Sequence, residues 1–374
     1  MNLSVVLLIC AIVAGLSGGI AARYRRWGTA LADVLLGLLV ASLFSIVVII
    51  VLVLAAGLNA FGVLHFIYLL AVVAFPIFTI WIVIPQLIDA ERRTPIVGWV
   101  LVIGSIMAAS LGWWATHVEP FRLQVDTQIL GARGAREPIV VGVIADLQTT
   151  SITSHERAAL DAVLEAEPDI VVLPGDLFQL EPDQISDAIP EFIGWLRTLT
   201  DAVDHVVLVN GHADDAEIVE ELADESGAIY LGDAITQLRV SGQLVTVVGL
   251  AYTPDRDPAT LDPALLAEIK NTLAEDDFVL AVSHHPDAVL SFPRSLPIDL
   301  LIAGHTHGGQ VALPRIGPLL TFSDLPNVVA AGGLHVVNGH PIYVSTGVGL
   351  ERGQAPQVRL GVPPSVGILT VVPS

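Results

Sequence analysis

The amino-acid sequence predicts four transmembrane α-helices followed by an α/β domain, and three observations support this fold class. Hydrophobic residues make up 53% of the 374 residues and charged residues only 15%, whereas about a quarter of a typical soluble protein is charged. Long apolar stretches are confined to residues 1–118. After residue 137, short β-branched runs alternate with segments of helical periodicity, which is typical of sheets covered by helices.

Four apolar stretches are each long enough to cross a bilayer, which takes about 20 residues. The first stretch lacks a charged start and an obvious cleavage site, so we expect a retained helix rather than a signal peptide. The sequence thus predicts a multi-pass protein of the cell membrane, held in the lipid bilayer by four helices at residues 2–22, 29–56, 61–88 and 96–115.

The arginines of this half predict its orientation. They fall only in the first and third connections between the apolar stretches, and the second connection carries no charge. The positive-inside rule places both arginine clusters in the cytoplasm, so we expect the C-terminal domain to be extracytoplasmic. The five arginines are Arg23, Arg25, Arg26, Arg92 and Arg93.

Charge and cysteine content exclude several classes of function. The net charge of −21 divides into +2 for residues 1–118 and −23 for the remainder. A domain this acidic repels phosphate backbones at long range, so we expect no nucleic-acid partner. Cys10 is the only cysteine, which excludes an intrachain disulfide and a cysteine-based metal site.

The polar segment at residues 119–136 is predicted to be a linker between the membrane region, residues 1–118, and a domain spanning residues 137–374. Within that domain, apolar runs predict strands and helical spacing predicts helices. The predicted strands are 139–145, 170–173, 206–209, 244–250, 278–282 and 299–303, and the predicted helices are 158–167 and 189–199.

Carboxylate or imidazole side chains follow directly after five of these predicted strands. In α/β sheets, ligands bind outside the carboxyl ends of the strands, so we expect these side chains to converge at one edge. Their mixture of oxygen and nitrogen donors suits Mn, Fe, Zn, Ni or Mg. The residues are Asp146, Asp176, His212, the pair His284 and His285, and the pair His305 and His307.

The segment Gly304–Gln310, which reads Gly-His-Thr-His-Gly-Gly-Gln, is the most specific signal in the chain. Together with Leu313-Pro314, Gly317-Pro318-Leu319, the Tyr343–Gly349 segment and the Arg359–Pro364 segment, it resembles the calcineurin-like metallophosphoesterase family, and most closely its bacterial membrane-linked branch. The resemblance covers most of residues 137–374. It implies a two-sheet sandwich flanked by helices, with two divalent metal ions at the strand ends that support hydrolysis of phosphate esters.

The resemblance also implies roles for individual residues. Asp176 would bridge both ions, Asp146 and His307 would bind one, and His284 and His305 would bind the other. The implied substrate is a phosphate mono- or diester, and the membrane helices suggest a lipid-linked or cell-envelope phosphate.

Two departures from the family pattern affect this site. Gln148 stands where the family has a histidine ligand. We expect its side-chain carbonyl oxygen to bind the metal there, as a weaker ligand than imidazole. The family's Gly-Asn-His-Asp motif is replaced by Asn-Gly-His-Ala-Asp, residues 210–214. Aligning Gly211 and Asp214 makes His212 a metal ligand and puts Ala213 in place of the catalytic histidine. Shifting the alignment by one residue instead makes His212 the general acid. It then puts Gly211, which has no side chain, at the position of the metal ligand.

We prefer the first alignment because it matches two residues and the second only one. In this alignment the general acid is absent, and such a group typically raises the reaction rate about 10²- to 10⁴-fold. The sequence therefore predicts a membrane-anchored metallophosphoesterase. The alternative is a metal-binding pseudoenzyme that acts as a membrane sensor or assembly protein, and Gln148 and Ala213 are the residues that favour it.

Overall fold

The structure, a computed structural model, describes residues 3–24, 30–88, 95–273 and 277–374. The chain folds as two compact units. The first comprises Met1–His117 together with Glu351–Gln357, and the second comprises Val118–Leu350 together with Val358–Ser374.

The first unit is helical and confirms the prediction of four long apolar helices. The third of the four is continuous through a π-helical turn at Leu70–Ala74, just before Pro76, whose ring nitrogen has no hydrogen to donate. The helices are α1 (Leu3–Tyr24), α2 (Ala30–Ala56), α3 (Ala60–Leu69), α4 (Phe75–Ile88) and α5 (Pro95–His117). The side chain of Arg23 and all of Arg25, Arg26, Arg92 and Arg93 lie outside the described residues, so the orientation stays a prediction.

Small residues allow close helix packing in this unit. A Cβ atom on Gly18 of α1 would lie 2.6 Å from the carbonyl oxygen of Gly37 in α2, so only glycine fits there. Glu351–Gln357 joins the same unit through the side chain of Gln354. Its Oε1 accepts a hydrogen bond from the backbone N–H of Asn59 at 2.9 Å, and its Nε2 donates to the carbonyl of Gly57 at 3.1 Å.

The second unit contains two six-stranded sheets and a short hairpin. In spatial order, the first sheet consists of β1 (Gln124–Ala132), β14 (Ser365–Pro373), β2 (Ile139–Val143), β3 (Ile170–Pro174), β4 (Val206–Val209) and β5 (Ile229–Tyr230). The second consists of β12 (Gly333–Val337), β13 (His340–Val344), β9 (Leu300–Ala303), β8 (Phe278–Ser283), β7 (Gln243–Leu250) and β6 (Ala234–Val240). The hairpin pairs β10 (Ala312–Leu313) with β11 (Gly317–Pro318).

The two sheets pack face to face and helices cover their outer faces, which confirms the predicted α/β sandwich. Along β3, Ile170 and Val172 point into the core between the sheets, whereas Val171 and Leu173 point toward the helices. This double burial explains why the central strands are apolar on both faces. The helices are α6 (Ser154–Leu164), α7 (Ile185–Thr200), α8 (Ala216–Ser226), α9 (Pro263–Thr272) and α10 (Asn327–Ala330).

Half of the segment predicted as a linker, residues 119–136, is a β-strand, and this corrects the prediction. It contains β1, which pairs in parallel with β14 from Gln124 opposite Ser365 to Ala132 opposite Pro373. The strand was missed because polar residues interrupt its apolar positions and its partner lies at the other end of the sequence. The C-terminal strand β14 also pairs antiparallel with β2, so it lies between two N-terminal strands.

Parallel pairing brings the predicted site residues to one edge of the sandwich. In the first sheet β2, β3 and β4 are mutually parallel, and in the second sheet β7, β8 and β9 are mutually parallel. Their carboxyl ends therefore release successive loops at the same edge.

Candidate metal centre

The loops that carry the site residues turn sharply as they leave the strands. Asp146 follows β2, Asp176 follows β3 and His305 follows β9, and their φ angles are +50°, +55° and +71°. Left-handed backbone is uncommon outside glycine and costs on the order of 1–3 kcal/mol per residue, so it persists where the surrounding structure enforces it. The three turns direct the side chains of these residues inward, toward one another.

Asp146 is buried against the glycine-bounded histidine loop. Its two carboxylate oxygens accept hydrogen bonds from the backbone N–H of His305 at 2.9 and 3.1 Å. A Cβ atom on Gly304 would lie 2.6 Å from Asp146 Oδ1, so this close approach requires glycine. The first glycine of the loop is thus explained by its contact with the carboxylate.

Asp176 is also buried, and both of its oxygens have partners. Oδ1 accepts from the backbone N–H of Ala213 at 2.8 Å, and Oδ2 accepts from the side-chain Nε2 of Gln148 at 2.7 Å. Gln148 was predicted to be a metal ligand, and the contact observed is instead a hydrogen bond that holds the carboxylate. Its ligand role stays a prediction.

His284 is fully buried and has one nitrogen ready to bind a cation. Its Nδ1 donates to the carbonyl of Pro174 at 3.0 Å, which leaves the lone pair on Nε2. That Nε2 lies 3.5 Å from Asp176 Oδ2 and has no hydrogen-bond partner within the described part of the chain. Ligand atoms of Asp146, Asp176 and His284 all lie within 4.8 Å of one another, close enough to share an ion.

Three histidines form a second group next to the first. Ligand atoms of His212, His284 and His305 also lie within 4.8 Å of one another. The ring of His212 stacks on His305 with ring centroids 4.5 Å apart, and it contacts Tyr252 at 3.7 Å between ring centroids. His305 Nε2 lies 3.3 Å from the carbonyl oxygen of Phe322, and donation there leaves its Nδ1 free to accept.

The segment after β4 explains why His212 faces this group. Asn210 turns away from it, donating from Nδ2 to the carbonyl of Tyr252 at 2.8 Å. Gly211 has no space for a side chain, since a Cβ atom there would lie 2.2 Å from Asp176 Oδ1 and 2.8 Å from His284 Nδ1. His212 is therefore the residue of this segment whose nitrogen lies beside the other histidines.

His307 is buried as well, but it does not belong to either of the two groups. Its Nδ1 lies 3.3 Å from Nη2 of Arg359, and its Nε2 has no hydrogen-bond partner among the described residues. The structure thus places His307 beside a buried arginine, and its predicted metal contact stays a prediction.

Arg359 is a site residue that sequence reasoning missed. Its guanidinium is completely buried and donates to the backbone carbonyls of Thr346 at 2.8 Å, Gly347 at 3.1 Å and Gly349 at 2.6 Å. It therefore joins the loop after β13 to His307. The sequence analysis used the Arg359–Pro364 segment only as part of the family resemblance and assigned Arg359 no role in the site.

Asp214 was used only to align a motif, yet it also supports the site. Its carboxylate accepts from the backbone N–H groups of Leu177 at 2.9 Å and Gly211 at 3.0 Å. It thus ties the loop after β3 to the loop after β4.

The electrostatics of the site favour bound cations. Burial, reinforced by Asp176, raises the pKa of Asp146 well above its usual range, and burial raises the pKa of Asp176 to about 6. Burial lowers the pKa of both His212 and His284 to about 3, so their imidazoles are neutral at neutral pH. Neutral imidazoles and adjacent carboxylates are the forms that divalent metals bind, and a cation would offset the carboxylate repulsion. These residues fit a metal centre.

Comparison with known proteins identifies the domain that holds these residues. The calcineurin-like phosphoesterase family model matches residues 139–309. The chain is 24% identical to the uncharacterized metallophosphoesterase YkoQ of Bacillus subtilis (strain 168), covering 60% of this chain and 83% of that protein. It is 25% identical to the phosphodiesterase YaeI of Escherichia coli (strain K12), covering 63% of this chain and 83% of that protein.

Among solved structures, a dimetal phosphatase from Danio rerio covers 56% of this chain and 88% of its own, with 14% identity and a TM-score of 0.36. The family match and the relatives agree with the predicted resemblance, while the membrane-linked branch stays a prediction. Residues 139–309 therefore form a calcineurin-like phosphoesterase domain, and this match together with the relatives supports a metallophosphoesterase.

Proposed function

We propose that this metallophosphoesterase is anchored in a membrane, holds two divalent ions and hydrolyses phosphate mono- or diesters of lipid-linked or cell-envelope compounds. The observation that carries the proposal is the pair of adjoining donor groups at the sheet edge. One contains Asp146 and Asp176 with His284, and the other contains His284 with His212 and His305.

In this proposal Asp176 would be a ligand to both ions. Asp146 and His307 would help to hold one ion, and His212, His284 and His305 would hold the other. Bound divalent ions would polarise the phosphoryl oxygens and activate the attacking water. The chain's own part is to hold these donors in place, and the hydrogen bond from Gln148 to Asp176 is one such constraint.

The position of His212 favours its role as a ligand over that of a general acid. Its ring is packed against His305, and its nitrogen lies within 4.8 Å of ligand atoms on His284 and His305. Ala213, the next residue, contributes only its backbone N–H to Asp176. With no histidine in the general-acid position, we expect faster hydrolysis of esters with good leaving groups than of esters with poor ones.

The four long apolar helices support the membrane part of the proposal. Helices of this length and composition confine the attached domain to the plane of a bilayer, where amphiphilic phosphoesters concentrate. We further propose an extracytoplasmic position for the domain, on the basis of the arginine pattern.

The test uses the full-length protein purified in detergent micelles. We would measure bound metal per chain and then the hydrolysis of bis(p-nitrophenyl) phosphate and p-nitrophenyl phosphate with added Mn²⁺. We expect about two metal ions per chain and turnover of at least one ester. Asp176→Asn should lower kcat/KM by more than the roughly 10- to 100-fold typical of residues that only orient a ligand.

Asp215→Asn is the matched control, because Asp215 caps α8 through a hydrogen bond from Glu217 that asparagine can also accept. It should leave both metal content and turnover unchanged. Bound metal without turnover of any ester would contradict the hydrolase and support the pseudoenzyme. Absence of bound metal would contradict the metal centre itself.

A further inference from the structure

The β10–β11 hairpin next to the metal centre exposes a cluster of large apolar side chains. Ile316 is 69% exposed, Leu319 53%, Leu320 46% and Phe322 51%. Residues 312–322 contain one charged residue, Arg315, although the surrounding domain carries a net charge of −23. We call Ile316, Leu319, Leu320 and Phe322 the apolar rim. Large apolar residues that are exposed together in one short segment are candidates for an interaction site.

The hairpin is held firmly at both ends, so this exposure is not that of a loose loop. On one side, the backbone N–H of Ala312 donates to the carbonyl of Leu360 at 2.8 Å, and Leu360 in turn donates to Gln310 at 2.8 Å. On the other side, the side chain of Asp287 accepts hydrogen bonds from the hydroxyl of Ser323 and from the backbone N–H of Asp324. The apolar side chains are therefore presented in a defined place.

Phe322 connects the apolar rim to the metal centre. Its φ angle is +50°, a left-handed conformation that is unfavourable for an aromatic residue. In that conformation its carbonyl faces His305 Nε2 at 3.3 Å while its ring stays half exposed. One residue thus contacts a proposed metal ligand and the solvent, and backbone strain of this kind is often found at functional sites.

We propose that the apolar rim binds the hydrocarbon tail of an amphiphilic phosphoester whose phosphate lies at the metal centre. This inference rests on the proposed function and names its substrate class. Because Phe322 of the apolar rim contacts His305, a group bound at the rim lies next to the metal centre. The group that binds there is therefore part of the substrate. The four membrane helices in the same chain place the enzyme where such tails are abundant. The acidity of the domain leaves apolar contact, rather than charge, as the means of attracting an anionic lipid.

Two diesters with the same leaving group test the proposal: hexadecyl p-nitrophenyl phosphate and ethyl p-nitrophenyl phosphate. The full-length protein is reconstituted into phosphatidylcholine vesicles with Mn²⁺. The variant is Ile316→Ser combined with Leu319→Ser, which leaves Phe322 and its contact with His305 intact. The control is Val336→Ser, because Val336 on β12 is equally exposed, at 70%, and plays no part in the site.

We expect the double variant to lose roughly tenfold or more in kcat/KM on the hexadecyl ester and less than twofold on the ethyl ester. Val336→Ser should change neither value. An equal loss on both esters would make the hairpin a structural support and overturn the proposal, as would no loss on either ester.

A second measurement does not depend on turnover. A hexadecyl phosphonate with a diazirine at the end of its tail is photolysed with the wild-type protein, and the labelled peptides are identified. We expect labelling within residues 313–322 that ethyl hexadecyl phosphate, added in excess, removes.

Labelling confined to the helices would overturn the proposal. So would equal labelling of the hairpin by a tail-labelled phosphatidylcholine, which would show that it contacts the bulk bilayer. If the wild type hydrolyses neither ester, the proposed function fails, and the labelling still decides whether the apolar rim binds a tail.

Discussion

The helical unit and the α/β unit bury polar side chains in opposite ways. In the described helices of the first unit the buried polar side chains are small hydroxyls, which find partners nearby: Ser105 donates to Thr79 at 2.7 Å, and Ser45 donates to the carbonyl of Ala41 at 2.8 Å. The α/β unit instead buries ionisable groups, and most of them lie at one edge. They include Asp146, Asp176, His284, His307 and Arg359.

The two units therefore differ in the energetic cost of the polar groups that they bury. Burying an unpaired charge costs several kcal/mol, so a domain that collects such groups needs a compensating partner. In the helices, hydroxyls satisfied locally carry no such requirement. The concentration of buried ionisable groups at the sheet edge is therefore the physical signature of a cation site.

Loss of the buried arginine should produce the largest effect on stability. Arg359→Met removes the donor to the carbonyls of Thr346 and Gly349 and one of the two donors to the carbonyl of Gly347, which should lower the free energy of unfolding by about 3 kcal/mol. Thermal unfolding of the purified protein in detergent measures this as a drop in Tm. Arg359→Lys keeps the charge but not the fork of donors, so its Tm should be intermediate. An unchanged Tm in Arg359→Met would show that the guanidinium is not required.

Loss of the hydrogen bond from Gln148 should affect activity more than folding. Gln148→Leu removes the donor to Asp176 Oδ2, so we expect a roughly 10- to 100-fold lower kcat/KM and weaker Mn²⁺ binding. Titration of activity against Mn²⁺ concentration separates the two quantities. Activity equal to that of the wild type at every Mn²⁺ concentration would rule out this orienting role.

The buried ionisable side chains of the α/β unit should make its stability depend on pH when metal is absent. The folded-state pKa values of Asp146 and Asp176 are raised, so their contribution to the stability of the metal-free protein falls as the pH rises from about 4 through about 6. The lowered pKa values of His212 and His284 act in the opposite direction, because these histidines are protonated in the unfolded state and neutral in the folded state. Since they are neutral in the folded protein with or without metal, their contribution cancels when the two forms are compared. Mn²⁺ compensates the carboxylates, so the difference in Tm between Mn²⁺-loaded and chelator-treated protein should grow over this range. A difference independent of pH would contradict this account.

The smallest effects are expected when one helical glycine in each unit is replaced by alanine. Gly18→Ala puts a methyl group 2.6 Å from the carbonyl of Gly37, which should cost about 1–3 kcal/mol. Gly194→Ala lies in α7 with no atom within 4 Å of the added Cβ, so it should stabilise the protein by about 0.5–1 kcal/mol. The two Tm shifts should have opposite signs, and shifts of the same sign would contradict the packing difference.

Much of the architecture was predictable because the relevant signals are local. The spans read from residues 2–22, 29–56, 61–88 and 96–115 correspond to the observed long helices, and the predicted strand at 206–209 coincides with β4. The parallel order of β2, β3 and β4 follows from their alternation with helices. Strand β1 and its pairing with β14 were not predictable, since neither segment carries a local signal for its distant partner.

The sequence shows that carboxylates and imidazoles follow apolar strands, because side-chain chemistry and strand periodicity are local properties. How those groups meet depends on the tertiary structure. It turned Gln148 toward Asp176, turned Asn210 away from the site and brought Arg359 to His307 across 52 residues of chain. These contacts depend on loops packed between two sheets, and the energy that fixes them comes from burial and hydrogen bonding between segments far apart in the sequence.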